Sequence, residues 1–286
     1  MLALGQLCAR LRCLPPNTAL VLNAFVLNVC LPALVLSAIP QLDLNVALLA
    51  LVLIAWLVMV ACAVCVRLLS TAMTFDRETE GCLMLVCVLG NTAFIGYPLI
   101  RAWLGEPAMP YAVVYDQLGS FIALPILGAI VVARYTKQGG VTLREISLKV
   151  LRFPAFIALL LAFLPITQPA PLSAVVKEVA GLLVPLAMFA IGLKLRFTPA
   201  PGQTLPLVLG LGIKMLVAPL VAYGLASALL THEVRSVAVL QAAMPPMVSA
   251  AALAASAGLS PRLSAAMAGY GILLALAWIP LLASLT

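Results

Sequence analysis

Charge is what this chain has least of. Only 9% of its residues are Asp, Glu, Lys or Arg, against 65% hydrophobic. A soluble globule carries roughly a quarter of its residues as charges, so this composition excludes one for most of the chain. Histidine is nearly absent too, with His232 alone. One histidine cannot build the usual zinc site, and no His-Glu-x-x-His motif exists. The seven cysteines (Cys8, Cys13, Cys30, Cys62, Cys65, Cys82, Cys87) all fall in the first third. Cys62-x-x-Cys65 has redox or metal spacing, but it lies in an apolar run with no partner pair. These cysteines therefore read as small packing residues. Nucleotide-binding signatures are missing, which excludes ATP-driven pumping by this chain. Asp116 is the one acidic residue clearly inside an apolar run, and an intramembrane aspartyl protease needs two. The Met1–Cys13 stub is too short for a secretory signal, and its arginines follow its apolar stretch instead of preceding it. No enzyme, cofactor or metal is expected.

What the chain has is long apolar runs. Nine are bounded by charge, Pro or Gly: Asn17–Ile39, Leu44–Val66, Gly81–Leu104, Pro110–Ala133, Phe153–Ile166, Leu172–Leu195, Leu205–Leu230, Val234–Gly258 and Arg262–Leu285. Most hold about 20 residues, enough to cross a hydrocarbon core of about 30 Å at about 1.5 Å per residue. Barrel-type alternation is absent. The fold class expected is an all-α polytopic membrane protein.

The net charge of +7 is explained by where the charges lie. Arg10, Arg12, Arg67, Arg77, Arg134, Lys137, Arg144, Lys149, Arg152, Lys194, Arg196 and Arg262 share one side of the expected topology. The other side has Arg101, Lys177 and Arg235, while Lys214 lies inside a run. Twelve against three is a strong positive-inside bias. The first loop and the central loop are then cytoplasmic and the C-terminus outside. This multi-pass protein would sit in a plasma or inner membrane. The basicity is topological, and no nucleic-acid partner is expected.

Prolines inside the runs act as landmarks. Pro32 and Pro185, Pro98 and Pro245, and Pro125 and Pro280 are separated by 153, 147 and 155 residues. The near-constant offset suggests two halves of about 150 residues with five spans each, so the second enters the bilayer inverted. The first repeat is read as 1–134, a cytoplasmic linker as 135–152, and the second repeat as 153–286. The fifth span lacks a full N-terminal counterpart. Met1–Leu11 reaches only about 16 Å as a helix, so about nine full spans plus a short half-helix are expected.

Two runs carry residues a lipid-facing helix does not want. Gly90-Asn91-Thr92-Ala93-Phe94-Ile95-Gly96-Tyr97-Pro98 interrupts the third. Glycine weakens a helix, proline breaks it, and Asn and Thr are polar. Gln241-Ala242-Ala243-Met244-Pro245-Pro246-Met247-Val248-Ser249 interrupts the eighth, where a double proline removes two backbone donors. In the inverted repeat these breaks oppose each other and cross near the midplane, as at the substrate sites of secondary transporters. Candidate binding residues are Gly90, Asn91, Thr92, Gln241, Pro245, Pro246 and Ser249. Asn91 is the central one, an amide donor where a half-helix begins with free N–H groups. Its bland alternative is a capping Asn at a structural kink. Asp116 and Lys214 are coupling candidates. A hydrogen-bonded structural Asp and a snorkelling Lys are the alternatives.

At these residues the chain resembles the auxin efflux carrier family of membrane transport proteins, which includes plant PIN-type carriers and bacterial permeases. Gly90-Asn91-Thr92 to Gly96-Tyr97-Pro98-Leu99, continuing to Gly105-Glu106, resembles its fourth-helix crossover. Val237 to Pro245 resembles its ninth-helix crossover. Leu27–Leu36, Val184–Leu195 and Lys214–Pro219 fit its second, seventh and eighth helices. The resemblance implies ten helices in two inverted five-helix repeats, a scaffold part and a transport part, and elevator-like alternating access for small organic anions. It matches Asn91 to a crossover asparagine that holds the substrate carboxylate, and Pro245 to the second crossover proline. Plant members carry Pro where this chain has Gly90, and a polar residue is common where it has Pro246. With the short central loop, this implies a bacterial-type member handling malate- or malonate-like dicarboxylates instead of auxin.

The expected function is a secondary carrier of small carboxylates. Its partners would be the lipid bilayer and a small organic anion, with a second copy of the chain as a candidate protein partner. The rivals are a sodium-coupled symporter of the bile-acid transporter type, and a membrane sensor or assembly subunit that moves no solute.

Overall fold

The computed structural model describes residues 1–41, 46–136, 144, 148, 150–164, 169–194 and 202–285. They are helical almost throughout. The elements are α1 (Leu2–Leu11), α2 (Thr18–Gln41), α3 (Val46–Ala72), α4 (Arg77–Val86), α5 (Tyr97–Leu104, entered through a π turn at Thr92–Gly96), α6 (Glu106–Tyr135), α7 (Pro154–Ala162), α8 (Ala170–Lys194), α9 (Thr204–Leu229), α10 (His232–Ala242), α11 (Val248–Ser256) and α12 (Pro261–Ala283). Among the described residues, six helices are long and apolar enough to cross a membrane: α2, α3, α6, α8, α9 and α12.

The two runs expected to be interrupted are the ones that break, and nine full spans are not confirmed among the described residues. Gly81–Leu104 is split between α4 and α5, and Val234–Gly258 between α10 and α11. With 10 and 11 residues, α4 and α10 each reach about 15 Å, half a hydrocarbon core. The Phe153–Ile166 run holds the nine-residue α7, and its last residues lie outside the described ones. The expected linker over 135–152 also lies largely outside them. The order short, long, long, short, short, long occurs twice among the described elements, in α1–α6 and again in α7–α12.

The α3 helix shows why a bilayer is the solvent. Val46, Leu49, Leu53, Leu57, Val60, Val64 and Leu68 recur every three or four residues and are all exposed. Its opposite face buries Leu48, Leu51, Ala55, Val58, Cys62 and Val66. A helix apolar on both its packed and its open face belongs in hydrocarbon.

Among the described residues four π turns interrupt the helices, at Val26–Cys30, Thr92–Gly96, Asp116–Phe121 and Ile213–Val217. Each is followed by a proline, Pro32, Pro98, Pro125 and Pro219, although Pro280 inside α12 has no such turn before it. A proline lacks the N–H for the carbonyl four residues back and its ring crowds that carbonyl. The residues four back are Asn28, Phe94, Phe121 and Met215, each inside a π turn. Widening the turn relieves the clash and frees carbonyls. Trp56 Nε1 donates to a carbonyl of the third turn, Leu118 O, at 2.9 Å.

Contacts divide the chain into two compact units. One is Met1–Leu44 with Ser147–Leu195, holding α1, α2, α7 and α8. Within it Gly5 of α1 and Gly192 of α8 lie backbone to backbone; a Cβ on Gly5 would sit 3.1 Å from Gly192 Cα. The other is Asn45–Ile146 with Arg196–Thr286, holding α3–α6 and α9–α12. In this second unit Asp76 caps α4, its carboxylate accepting from Thr79 N at 2.7 Å. Glu80 then takes Arg67 Nη1 at 2.7 Å and Tyr135 OH at 2.7 Å, joining the ends of α3, α4 and α6.

Candidate functional site

Both broken helices lie in the second unit, and they meet. Asn91 N donates to Pro245 O at 2.8 Å, and Met247 N donates to Leu89 O at 2.9 Å. These bonds make an antiparallel bridge between Gly90 and Pro246, the sole β pairing among the described residues. Pro245 and Pro246 have no N–H, so the second segment offers only the groups that flank them. Gly271 of α12 gives the double proline its seat. A Cβ there would come within 2.6 Å of Pro246 Cδ.

Asn91 stands at the N-cap position before the π turn, yet its side chain makes no cap hydrogen bond. Its carbonyl instead accepts from Gly96 N at 3.0 Å. The side chain is 1% exposed, and Nδ2 is buried without a partner. A buried, unpaired amide donor carries a desolvation penalty of about 1–3 kcal/mol. Such a group at an unwound helix start is unexplained by the fold alone.

Asp116 is drawn onto the first break from 24 residues away. It is 2% exposed, and accepts from Thr92 Oγ1 at 2.5 Å, Tyr97 OH at 2.7 Å and Gln117 Nε2 at 2.8 Å. The first two donors bracket the π turn, so this carboxylate clamps α5 to α6. Asp116, distant along the chain, thus stands beside the first break.

Lys214, in the π turn of α9, is 3% exposed. A Cβ added to Gly90 would lie 3.0 Å from its Nζ. Lys214 and Asp116 are not paired. The ion pairs among the described residues are Arg67–Glu80 and Arg101–Glu106. Gln241, fully buried, donates from Nε2 to Ala112 O at 3.2 Å, while its Oε1 packs against Gly96 without a hydrogen-bond partner.

The structure thus gathers Gly90, Asn91, Thr92, Pro245, Pro246 and Lys214 at the crossing, with Asp116 attached through Thr92 and Gln241 against Gly96. Ser249 is exposed, on α11 beyond the break. Sequence reasoning missed Tyr97 and Gln117 as partners of Asp116, and Gly96 and Gly271 as the gaps that admit Gln241 and Pro246. The signal for Gly96 was a second glycine in one interrupted run. Gly271 carried none.

A polytopic helical protein whose two broken helices cross through backbone bonds has the build of a membrane carrier. Comparison with known sequences agrees, and the chain belongs to the family described as Membrane transport protein, matched over residues 1–283. The family resemblance read from the two crossover motifs is thereby borne out. An uncharacterized transporter of Methanothermobacter thermautotrophicus is 26% identical over 288 residues, covering 98% of this chain and 93% of the relative. A second, from Methanocaldococcus jannaschii, is 32% identical over 125 residues, covering 41% of this chain and 39% of the relative. The protein is a multi-pass membrane transporter.

Proposed function

We propose that the chain is a secondary active carrier of small organic anions, mono- or dicarboxylates such as malate or malonate, with the crossing as its solute site. The observation that carries this reading is the Asn91 amide, buried and without a partner where a half-helix begins. Thr92, Ala93 and Phe94 follow with backbone N–H groups that a first helical turn leaves unengaged, and the positive dipole end points the same way. A carboxylate would satisfy both the amide and these donors.

The cycle proposed is elevator-type alternating access, with the crossing-bearing unit as the transport part and the other unit as scaffold. Two inverted repeats, 1–134 and 153–286, underlie it. The doubled order of short and long elements and the matched prolines support that division, and each compact unit draws corresponding elements from both halves. Arg67, Arg77 and Arg134 gather at neighbouring helix ends, Arg77 donating to Arg134 O. That supports a cytoplasmic placement for this end. Asp116, gripping the half-helix at Thr92 and Tyr97, is the group through which a proton gradient would act.

The test is uptake of labelled malonate, malate and indole-acetate into proteoliposomes, with and without pH and Na⁺ gradients. Saturable uptake of at least one carboxylate, faster under a pH gradient, is expected. No flux of any of them would overturn the substrate class.

A further inference from the structure

Lys214 is a cation without an anion. Among the described residues its Nζ makes no ion pair, and its titratable neighbours are Cys62 and Cys87. An ammonium buried in a membrane protein needs compensation from some source. Its position supplies one. A Cβ on Gly90 would lie 3.0 Å from Nζ, 3.1 Å from Lys214 Cε and 3.6 Å from Met244 O. Ammonium and carbonyl therefore share the space that the glycine leaves open.

That space is where α4 and α10 stop. Each presents the negative end of its dipole there. Pro245 and Pro246 remove the N–H groups that would have engaged the carbonyls of Gln241 and Ala242; Gln241 O regains a donor from Met244 N at 3.3 Å. Carbonyls at unwound half-helix ends are the chemistry that holds a free monovalent cation in broken-helix carriers. Here a cation is already present, covalently attached. A second monocation beside it would meet direct charge repulsion in a low-dielectric setting.

We propose that the Lys214 ammonium is a tethered substitute for a coupling cation, so that the carrier needs no Na⁺ and removal of this side chain opens a site for one. Gly90 is the residue that admits it. The proposal rests on the crossing being the transport site, but its test uses no organic anion and so fails or succeeds separately from the flux assay.

Thermal unfolding of the purified full-length protein is compared in NaCl and in choline chloride at equal ionic strength, for wild type, Lys214→Ala and Lys214→Gln. Wild type should unfold at the same temperature in both salts. Each variant should unfold earlier than wild type in choline and gain about 3 °C or more in NaCl, the shift expected when a ligand binds only the native state. A variant that folds only in NaCl gives the same support. Wild type stabilised by Na⁺ over choline, variants indifferent to the salt, or variants unfolded in both would overturn the proposal.

Discussion

The two helix breaks reach one geometry by opposite means. At Pro245-Pro246 the chain has no choice: two consecutive residues lack an N–H, and the residue before them is steered from the helical region. At Gly90-Asn91 nothing local compels a break. Both residues are permitted in a helix at a modest cost of about 1 kcal/mol. There the break is held by tertiary bonds, with Asn91 N on Pro245 O and Asp116 drawing in Thr92 Oγ1 and Tyr97 OH. The second break is autonomous and the first depends on it. The dependent break also carries the unpaired amide, so the half proposed to face the solute is the adjustable one.

This asymmetry can be attacked in order of effect. The double substitution Pro245→Ala and Pro246→Ala should be the most damaging. Two restored N–H groups let α10 run on toward α11, which would cost the bonds to Asn91 and Leu89. Flux at background level and a lowered unfolding temperature are expected, and wild-type values for both would refute the autonomous break. Next comes Asp116→Ala, which strands the Thr92 and Tyr97 hydroxyls. A loss of about 3 kcal/mol is expected in denaturant or thermal unfolding. Thr92→Val removes one of those bonds while keeping shape, and should cost about 1 kcal/mol. Equal effects from Asp116→Ala and Thr92→Val would show that Tyr97 contributes nothing to the clamp.

The same contrast explains what was legible in the sequence. Pro245-Pro246 announces its break in two letters; the widened turns before the prolines at 32, 98, 125 and 219 were not legible, since Pro280 sits in an unbroken α12. Gly90 and Asn91 were readable as misfits in an apolar run, though not as one strand of a bridge. The Asp116 clamp was hidden because it joins residues 24 apart through side chains alone. Six of the nine expected spans are continuous crossings among the described residues, and the third and eighth are broken where the sequence marked them; nine spans are not confirmed, the fifth run being only partly among the described residues. The small residues that make room, Gly96 for Gln241 and Gly271 for Pro246, became informative only once their neighbours were in place.

Asn91 is the centre of the proposed anion site. Asn91→Ala removes an amide that forms no hydrogen bond through Nδ2, so the fold should lose little, and its unfolding temperature should stay at or above that of wild type. Uptake of the transported carboxylate into proteoliposomes should nevertheless fall about tenfold or more, the worth of one charge-assisted hydrogen bond. Uptake equal to wild type from a folded Asn91→Ala protein would contradict the claim that the crossing holds the anion.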